Sequence, residues 1–302
     1  MIRPLDHISI CICTYKRPEM LLHLLTCLQN QRTDELFLYS IVVVDNDHAQ
    51  SAKNTIDSFK EKSAINIEYF CEPEQNIALA RNKAVQNAKG NFLALIDDDE
   101  FPDSNWLLIL YKTCKRYYAN GVLGPVKPCF EGNPPKWVVN GKFYGKGQHE
   151  TGHILKWQDT RTSNVLMNRA IFNDHENMFK REFGRGGEDM DFFKRAIDKN
   201  YIFVWCNEAP VYEIIPPERC KRVFMLKRAL LRGKLTLSYS SFGLEYIIKS
   251  TIAIPTYTLL LPFAFMLGHH HFMKILIKLF EHIGRFLALC GFDVIKQYYV
   301  MK

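Results

Sequence analysis

The chain has 302 residues, 47% of them hydrophobic, enough for one large or two modest domains with a full core. Its net charge of +7 is uneven: residues 216–302 hold 13 Lys and Arg against 4 Asp and Glu, and residues 1–215 hold 26 against 28. Nine cysteines with no CxxC pair and no regular spacing speak against a disulfide framework or a zinc site, so reduced core thiols of a cytosolic protein are expected.

Residues 1–7 carry charges and a proline, and the apolar run at 8–13 is too short for a signal-peptide core, so an unexported chain is expected. The run ISICIC (8–13) predicts a first strand, broken by Thr14-Tyr15-Lys16-Arg17-Pro18. A helix is expected over 20–31, with Pro18 well placed at its start. IVVV (41–44) predicts a second strand ending in Asp45-Asn46-Asp47, and IEYF (67–70) a third. Residues 76–89 have helical spacing, with Ile77, Ala80, Ala84 and Ala88 on one stripe and Gly90 as the stop. FLALI (92–96) predicts a fourth strand that runs straight into Asp97, Asp98, Asp99 and Glu100. Continuous apolar strands separated by helices imply a parallel sheet covered on both faces.

A helix over 106–118, opened by Ser104, comes next. Residues 120–160 lack a clear period and predict short strands and loops. A strand at 164–168, a helix at 188–199 after Gly186-Gly187, and a strand at 202–206 complete the body. In the tail, 250–268 is a 19-residue stretch without charge, close to the length that spans a bilayer but interrupted by Pro255 and Pro262. In 272–290, Lys274, Lys278, Glu281 and Arg285 share one helical face and aliphatics fill the rest, as in an interfacial helix. The alternative is a pair of core helices in a soluble domain. The long uncharged run beside basic flanks favours an anionic membrane surface as partner. Nucleic acid is not expected, because the basic residues interleave with aliphatics rather than with stacking aromatics.

Ligands of parallel sheets bind beyond the carboxyl ends of the strands, where three of the four strands carry polar clusters. Adjacent carboxylates repel one another, and a hard cation on oxygen ligands relieves them. Mn²⁺ or Mg²⁺ held by one or two carboxylates completes its shell with phosphate oxygens, so the acidic cluster implies a metal–diphosphate site. Glu188-Asp189 opens an amphipathic helix. Such acids can simply complement the helix dipole, but beside a metal–diphosphate site a rigidly held carboxylate is a candidate general base.

In order, CTYKRP, VVVDND, NIALARNKA, LIDDDE and GGEDMDFFKR resemble the family 2 glycosyltransferases, inverting enzymes of the GT-A fold, over about residues 5 to 215. The flavour is that of bacterial enzymes that build exopolysaccharide, capsule or lipopolysaccharide repeat units. The resemblance implies an α/β GT-A domain over 1–215: a doubly wound, mostly parallel sheet with a nucleotide-binding half (1–120) and a smaller mixed acceptor half (121–215). A basic helical tail (216–302) would associate with membrane through about 250–268 and 272–290.

By the same resemblance, Thr14, Tyr15 and Arg17 would border the base and ribose of a nucleotide-sugar donor. Asp45 would bind the base, commonly uracil, with Asp47 nearby, and Arg81 would approach the diphosphate or base. Asp97 would hold ribose or donor sugar and, with Asp99, a Mn²⁺ or Mg²⁺ ion; Asp98 would support the donor side. Asp189 would be the base, with Glu188 an acceptor contact or alternative base. The acceptor would be a lipid-linked saccharide at the cytoplasmic face of a bacterial inner membrane.

There is no QxxRW, against a processive cellulose- or hyaluronan-type synthase. Glu213 stands where many relatives place a His, and neither it nor Arg219 receives a firm role. A sugar-nucleotide nucleotidyltransferase would carry a Gly-rich loop where TYKRP stands, and a haloacid-dehalogenase-type phosphatase would carry its acids on the first strand. A non-catalytic membrane-associated scaffold would not need both the acidic cluster and the base.

Overall fold

The computed structural model describes residues 4–145, 147–173, 178–184, 186–238 and 243–292, the side chains of 236–238 and 243–246 excepted. Arg185 of the GRGGED segment and the ends of the expected domains, 1–3 and 293–302, lie outside the described residues. The chain divides into two compact units, Met1–Lys127 with Lys146–Glu213, and Pro128–Gly145 with Ile214–Lys302.

In the first unit, β1 (Asp6–Thr14), α1 (Pro18–Leu28), β2 (Phe37–Asp45), α2 (Lys53–Lys60), β3 (Ile67–Cys71), α3 (Ile77–Asn87) and β4 (Phe92–Asp97) alternate as expected. The helix α2 has no counterpart in the sequence reading, because KNTIDSFK buries only Ile56 and Phe59 and is too short to show a period. Then follow β5 (Glu100–Pro102), α4 (Trp106–Tyr117), β6 (Gly121–Leu123) and β7 (Val126–Phe130), which leads into α5 (Lys136–Gly141). The first unit ends with β8 (Val165–Asn168), α6 (Glu188–Asp198), β9 (Phe203–Trp205) and β10 (Val211–Ile215), whose last residues enter the second unit.

The main sheet has seven strands in the order β3-β2-β1-β4-β8-β6-β9. The pairs β2–β3, β1–β2, β1–β4 and β6–β9 are parallel, and β8 is antiparallel to both β4 and β6. The expectation of a mostly parallel sheet holds. Register decides the geometry of everything that follows. Thr14 pairs with Asp45, Cys13 with Asp97 and Asp45 with Cys71, so the ends of β1, β2, β3 and β4 lie along one edge. A second sheet has the order β5-β10-β7, with Glu213 directly opposite Glu100 in the antiparallel β10–β5 pair.

Several local expectations change: α1 ends at Leu28 rather than near 31, and α5 is a helix within 120–160, where only short strands and loops were expected. α3 ends at Asn87 because Ala88 turns extended, and it is opened by Asn76, whose side chain accepts from the N–H groups of Ala78 and Leu79. Gly90 therefore does not stop the helix. A Cβ there would collide with the His7 carbonyl and the Ser9 amide, so its absence lets the chain enter β4 tight against β1. α4 begins after Asn105 without a side-chain cap from Ser104. All nine cysteines are free; Cys11, Cys114, Cys206 and Cys220 are buried, whereas Cys129 and Cys290 are exposed.

The second unit contains α5, α7 (Arg222–Ser238), α8 (Gly243–Met266) and α9 (His269–Leu289). Its small core gathers Val138, Ile215, Cys220 and Met225, with Trp137 and Phe143 packed against it.

Asn164, fully buried and held at φ +50°, ties the segments that enter β7 and β10 to the start of α4. Its Nδ2 donates to the carbonyls of Pro125 and Ala209, both at 2.9 Å, and its Oδ1 accepts from the Trp106 indole at 2.7 Å. Asn164→Ala removes three buried hydrogen bonds and should lower stability by about 3 kcal/mol, read as a fall in the urea midpoint at unchanged slope.

Candidate active site

The four consecutive acids after the fourth strand are not equivalent. Asp97 is the last residue of β4 and its side chain is 44% exposed, while Asp98, Asp99 and Glu100 are buried. Burying three adjacent carboxyl groups requires donors or cations of matching number. Thr14, at the end of β1, donates its hydroxyl to Asp98 at 2.8 Å. Arg17, one residue before α1, reaches Asp98 at 3.1 Å and Asp99 at 3.0 Å through a single Nη1. Thr14 and Arg17 thus face the acids, and Tyr15, half-buried, lies under the Lys16 ammonium at 5.2 Å.

Asp45 ends β2 with both oxygens committed. Its Oδ1 accepts from the Asp47 N–H at 3.0 Å, and its Oδ2 from the Ala52 N–H at 2.8 Å and the Tyr69 hydroxyl at 3.1 Å. Burial raises its pKa against these three donors. Asp47, also buried, accepts from the Ala49 N–H. Between them Asn46 donates to the carbonyls of Glu72 and Glu74 and accepts from the Asn76 N–H, anchoring the loop that leads into α3.

Arg81 projects from α3 into the unit and is 9% exposed. Its Nη1 pairs with Glu188, the first residue of α6, and its Nη2 lies 3.5 Å from Asp97. This places Asp97 and Glu188, some ninety positions apart, on a single guanidinium. Glu188 is 5% exposed, and its position follows from Gly186 and Gly187, whose φ of +131° and +92° turn the chain into the helix. Burial pushes the Glu188 carboxyl above its ordinary range, and Arg81 pulls it back only in part. Asp189 is half-buried beside it, with Oδ1 accepting from the Met190 N–H at 2.8 Å.

The sequence reading missed Arg161. It precedes β8, donates from Nη2 to the Gly124 carbonyl at 3.0 Å, and stacks its guanidinium 5.5 Å from the Trp205 ring. Glu100, Glu213, Asp189 and Asp97 all lie within its electrostatic reach, against a burial that lowers its pKa. Like charges directly opposite on paired strands repel, so Arg161 also accounts for the Glu213–Glu100 pair that the sequence left without a role. An arginine in the polar run QDTRTSN has no periodicity to announce that it is buried.

Among the described residues, seven carboxyl groups (Asp97, Asp98, Asp99, Glu100, Glu188, Asp189 and Glu213) lie around the guanidinium groups of Arg17, Arg81 and Arg161. Among the described residues no group of three His, Cys, Asp or Glu is arranged to hold a metal by itself. A Mn²⁺ or Mg²⁺ ion shared with a diphosphate needs no such cage. The half-exposed Asp97, with Asp99 two residues on, supplies hard oxygen donors at the same sheet edge. The donor set fits a divalent cation that arrives with a diphosphate.

The model of the family described as glycosyl transferase family 2 matches residues 9–183. Succinoglycan biosynthesis protein ExoM of Rhizobium meliloti is 33% identical over 235 residues, which cover 76% of this chain and 73% of that protein. GalNAc(5)-diNAcBac-PP-undecaprenol beta-1,3-glucosyltransferase of Campylobacter jejuni is 27% identical over 241 residues, 77% of this chain and 68% of that one. Among solved structures, S. aureus TarS 1–349 in complex with UDP-GlcNAc matches with a TM-score of 0.55 at 16% identity, covering 97% of this chain and 93% of that chain. That likeness is one of fold.

Burial pushes the Asp98 carboxyl up to about 7, from an ordinary value of 3.8, although Arg17 and Thr14 oppose the shift. Between these values the folded protein binds more protons than the unfolded chain, so stability falls as pH rises through the window. Urea midpoints should be higher at pH 5 than at pH 8, and Asp98→Asn should reduce that difference, with Glu188 supplying a remainder of the same sign.

Proposed function

Because the chain belongs to the family 2 glycosyltransferases, we propose that it is an inverting, metal-dependent, hexosyltransferase-type enzyme that moves a sugar from a UDP-sugar to a hydroxyl of a lipid-linked saccharide in bacterial surface polysaccharide synthesis. The observation that carries this reading is the Arg81 bridge, which holds the donor-side Asp97 and the helix bearing Asp189 on one cation. Donor and acceptor chemistry thereby share a rigid frame. A relative named for a PP-undecaprenol-linked substrate and a related fold carrying UDP-GlcNAc support the substrate classes.

In this reading Asp189 accepts the proton of the acceptor hydroxyl as that oxygen attacks the anomeric carbon from the face opposite the nucleotide, and configuration inverts. Asp189 is preferred to Glu188 as base because Glu188 is buried on Arg81, which makes it a positioning residue for the first turn of α6. Asp97 and Asp99 would hold Mn²⁺ or Mg²⁺, whose charge stabilises the departing diphosphate. Thr14, Tyr15, Arg17, Asp45, Asp47, Arg81 and Asp98 form the donor side, several of them by fixing the acids rather than by reaching the nucleotide. Residues 1–215 act as the transferase domain, divided near 120 into nucleotide-binding and acceptor halves. Residues 216–302 bring it to the cytoplasmic face of the inner membrane.

Asp189→Asn should lower sugar transfer by about 100- to 10,000-fold while leaving the thermal shift caused by UDP unchanged. Loss of that shift together with activity would mean that Asp189 serves donor binding instead. Chelation should abolish transfer and Mn²⁺ should restore it, whereas Asp99→Ala should leave little to restore. A panel of UDP, GDP and dTDP, read by thermal shift, checks the base preference.

A further inference from the structure

The helices of the second unit carry a surface that the transfer reaction does not use. α9 is the central helix, packed along α7 on one side and α8 on the other. At Gly233 and Gly284 an added Cβ would collide with the backbone at Glu281 and Leu230 respectively, so α7 and α9 cross in close backbone contact. Arg232 and Glu281 add an ion pair at 2.7 Å. α8 and α9 form an antiparallel hairpin about Gly268. Phe265 meets Phe272 near the turn at 5.8 Å, and at the far end Ser250 lies 3.1 Å from His282.

α8 touches its neighbours along a narrow stripe, Ser250, Ile254, Tyr257, Leu261 and Ala264, at helical spacing. The opposite stripe, Ile248, Ile252, Leu259, Phe263 and Met266, is 54–83% exposed. Within its apolar span Ile247–Met266 only Ser250 and Ala264 are buried. A core helix of a water-soluble domain would be covered, so the soluble-core alternative does not describe it. Its hydroxyls are also turned inward: Thr251, Thr256 and Thr258 each donate to the carbonyl four residues back. That arrangement satisfies polar groups where water is scarce.

Three features oppose a crossing of the bilayer. Lys274, Lys278, Glu281 and Arg285 recur along α9, the hairpin partner, and would have to enter the hydrocarbon beside α8. α7, packed on α9, brings Arg222, Lys227, Arg228, Arg232 and Lys234 with it. Pro255 and Pro262 lack N–H groups, so within the helix the carbonyls of Thr251 and Thr258 lose their usual donors. Both residues are exposed, where interfacial water can serve those carbonyls and hydrocarbon cannot.

Resting on the membrane part of the proposed function, we infer that α8 lies in the plane of an anionic phospholipid surface. Its Ile248–Met266 stripe enters one leaflet, and the cations of α7 and α9 stay at headgroup level. The charge excess of 13 Lys and Arg over 4 Asp and Glu in residues 216–302 selects an anionic lipid over a neutral one.

The full chain, with the exposed Cys129 and Cys290 changed to Ser, would carry His271→Cys beside the α8–α9 turn, or Tyr118→Cys as a reporter on the first unit. A membrane-impermeant maleimide is applied to inside-out and right-side-out membranes. Both thiols should label from the same side; labelling of the turn from the opposite side means that α8 crosses, and overturns the inference. In flotation with phosphatidylglycerol vesicles, Leu259→Lys with Phe263→Lys should weaken binding at least about tenfold. Undiminished binding of that variant overturns the inference, as does a parent chain that ignores vesicles, whether monomeric or dimerised through this face. Turnover of the nucleotide sugar, followed in the same samples, separates failure of docking from failure of the transferase reading.

Discussion

Arg81 is buried between Asp97 and Glu188, and the rest of the candidate site depends on that placement. A guanidinium removed from water needs acceptors, and these two carboxylates come from the end of β4 and the start of α6. Glu188 would be costly to bury without it, and breaking such a pair from one side costs about 3–5 kcal/mol. The pair therefore acts as a fastener. It fixes the first turn of α6 against the edge of the main sheet, and with it the orientation of Asp189. Asn82, one residue further along α3, binds the backbone of Phe179 in both directions and secures the segment before that turn.

Around this centre the remaining charges divide by distance from solvent. Arg17 serves the buried Asp98 and Asp99, and Arg161 lies among Glu100, Glu213 and the more open acids. Asp97 and Asp189, like Glu213, are partly exposed, whereas Asp98, Asp99, Glu100 and Glu188 are buried. A site that binds a diphosphate and moves a proton needs few exposed acids, held rigidly, and many buried ones that do the holding. Thr14, Asp45 and Arg17, on the proposed donor side, form supports of this kind.

In the proposed docking mode the second unit meets a different solvent. Its helix α9 is amphipathic, and α8 is apolar on nearly every face, which water would penalise and a leaflet would not. Prolines that would break such a helix in a soluble core are tolerable at an interface where the freed carbonyls stay wet. The tail's charge and hydropathy thus agree with its packing, although neither alone tells a crossing helix from a surface one.

Much of the fold was legible in the sequence because β1, β2 and β4 are continuous apolar runs, and such runs have few alternatives to a buried parallel sheet. The acidic cluster and the Gly-Gly entry to α6 were legible too, since charge beside oil and paired glycines are costly without a purpose. Short elements were not: α2 and α5 are too brief to show a period, and Gly90 looked like a helix stop although it serves a backbone crossing. Arg161 gave no signal at all. By itself the sequence determined which residue types stand at the strand ends and that the tail is apolar and basic, because composition and period are local properties. Only the tertiary structure decided which carboxylate each arginine neutralises, which acids remain exposed, and which face of α8 lacks a partner. Those depend on strand register and helix packing, which join residues more than a hundred positions apart that no local pattern links.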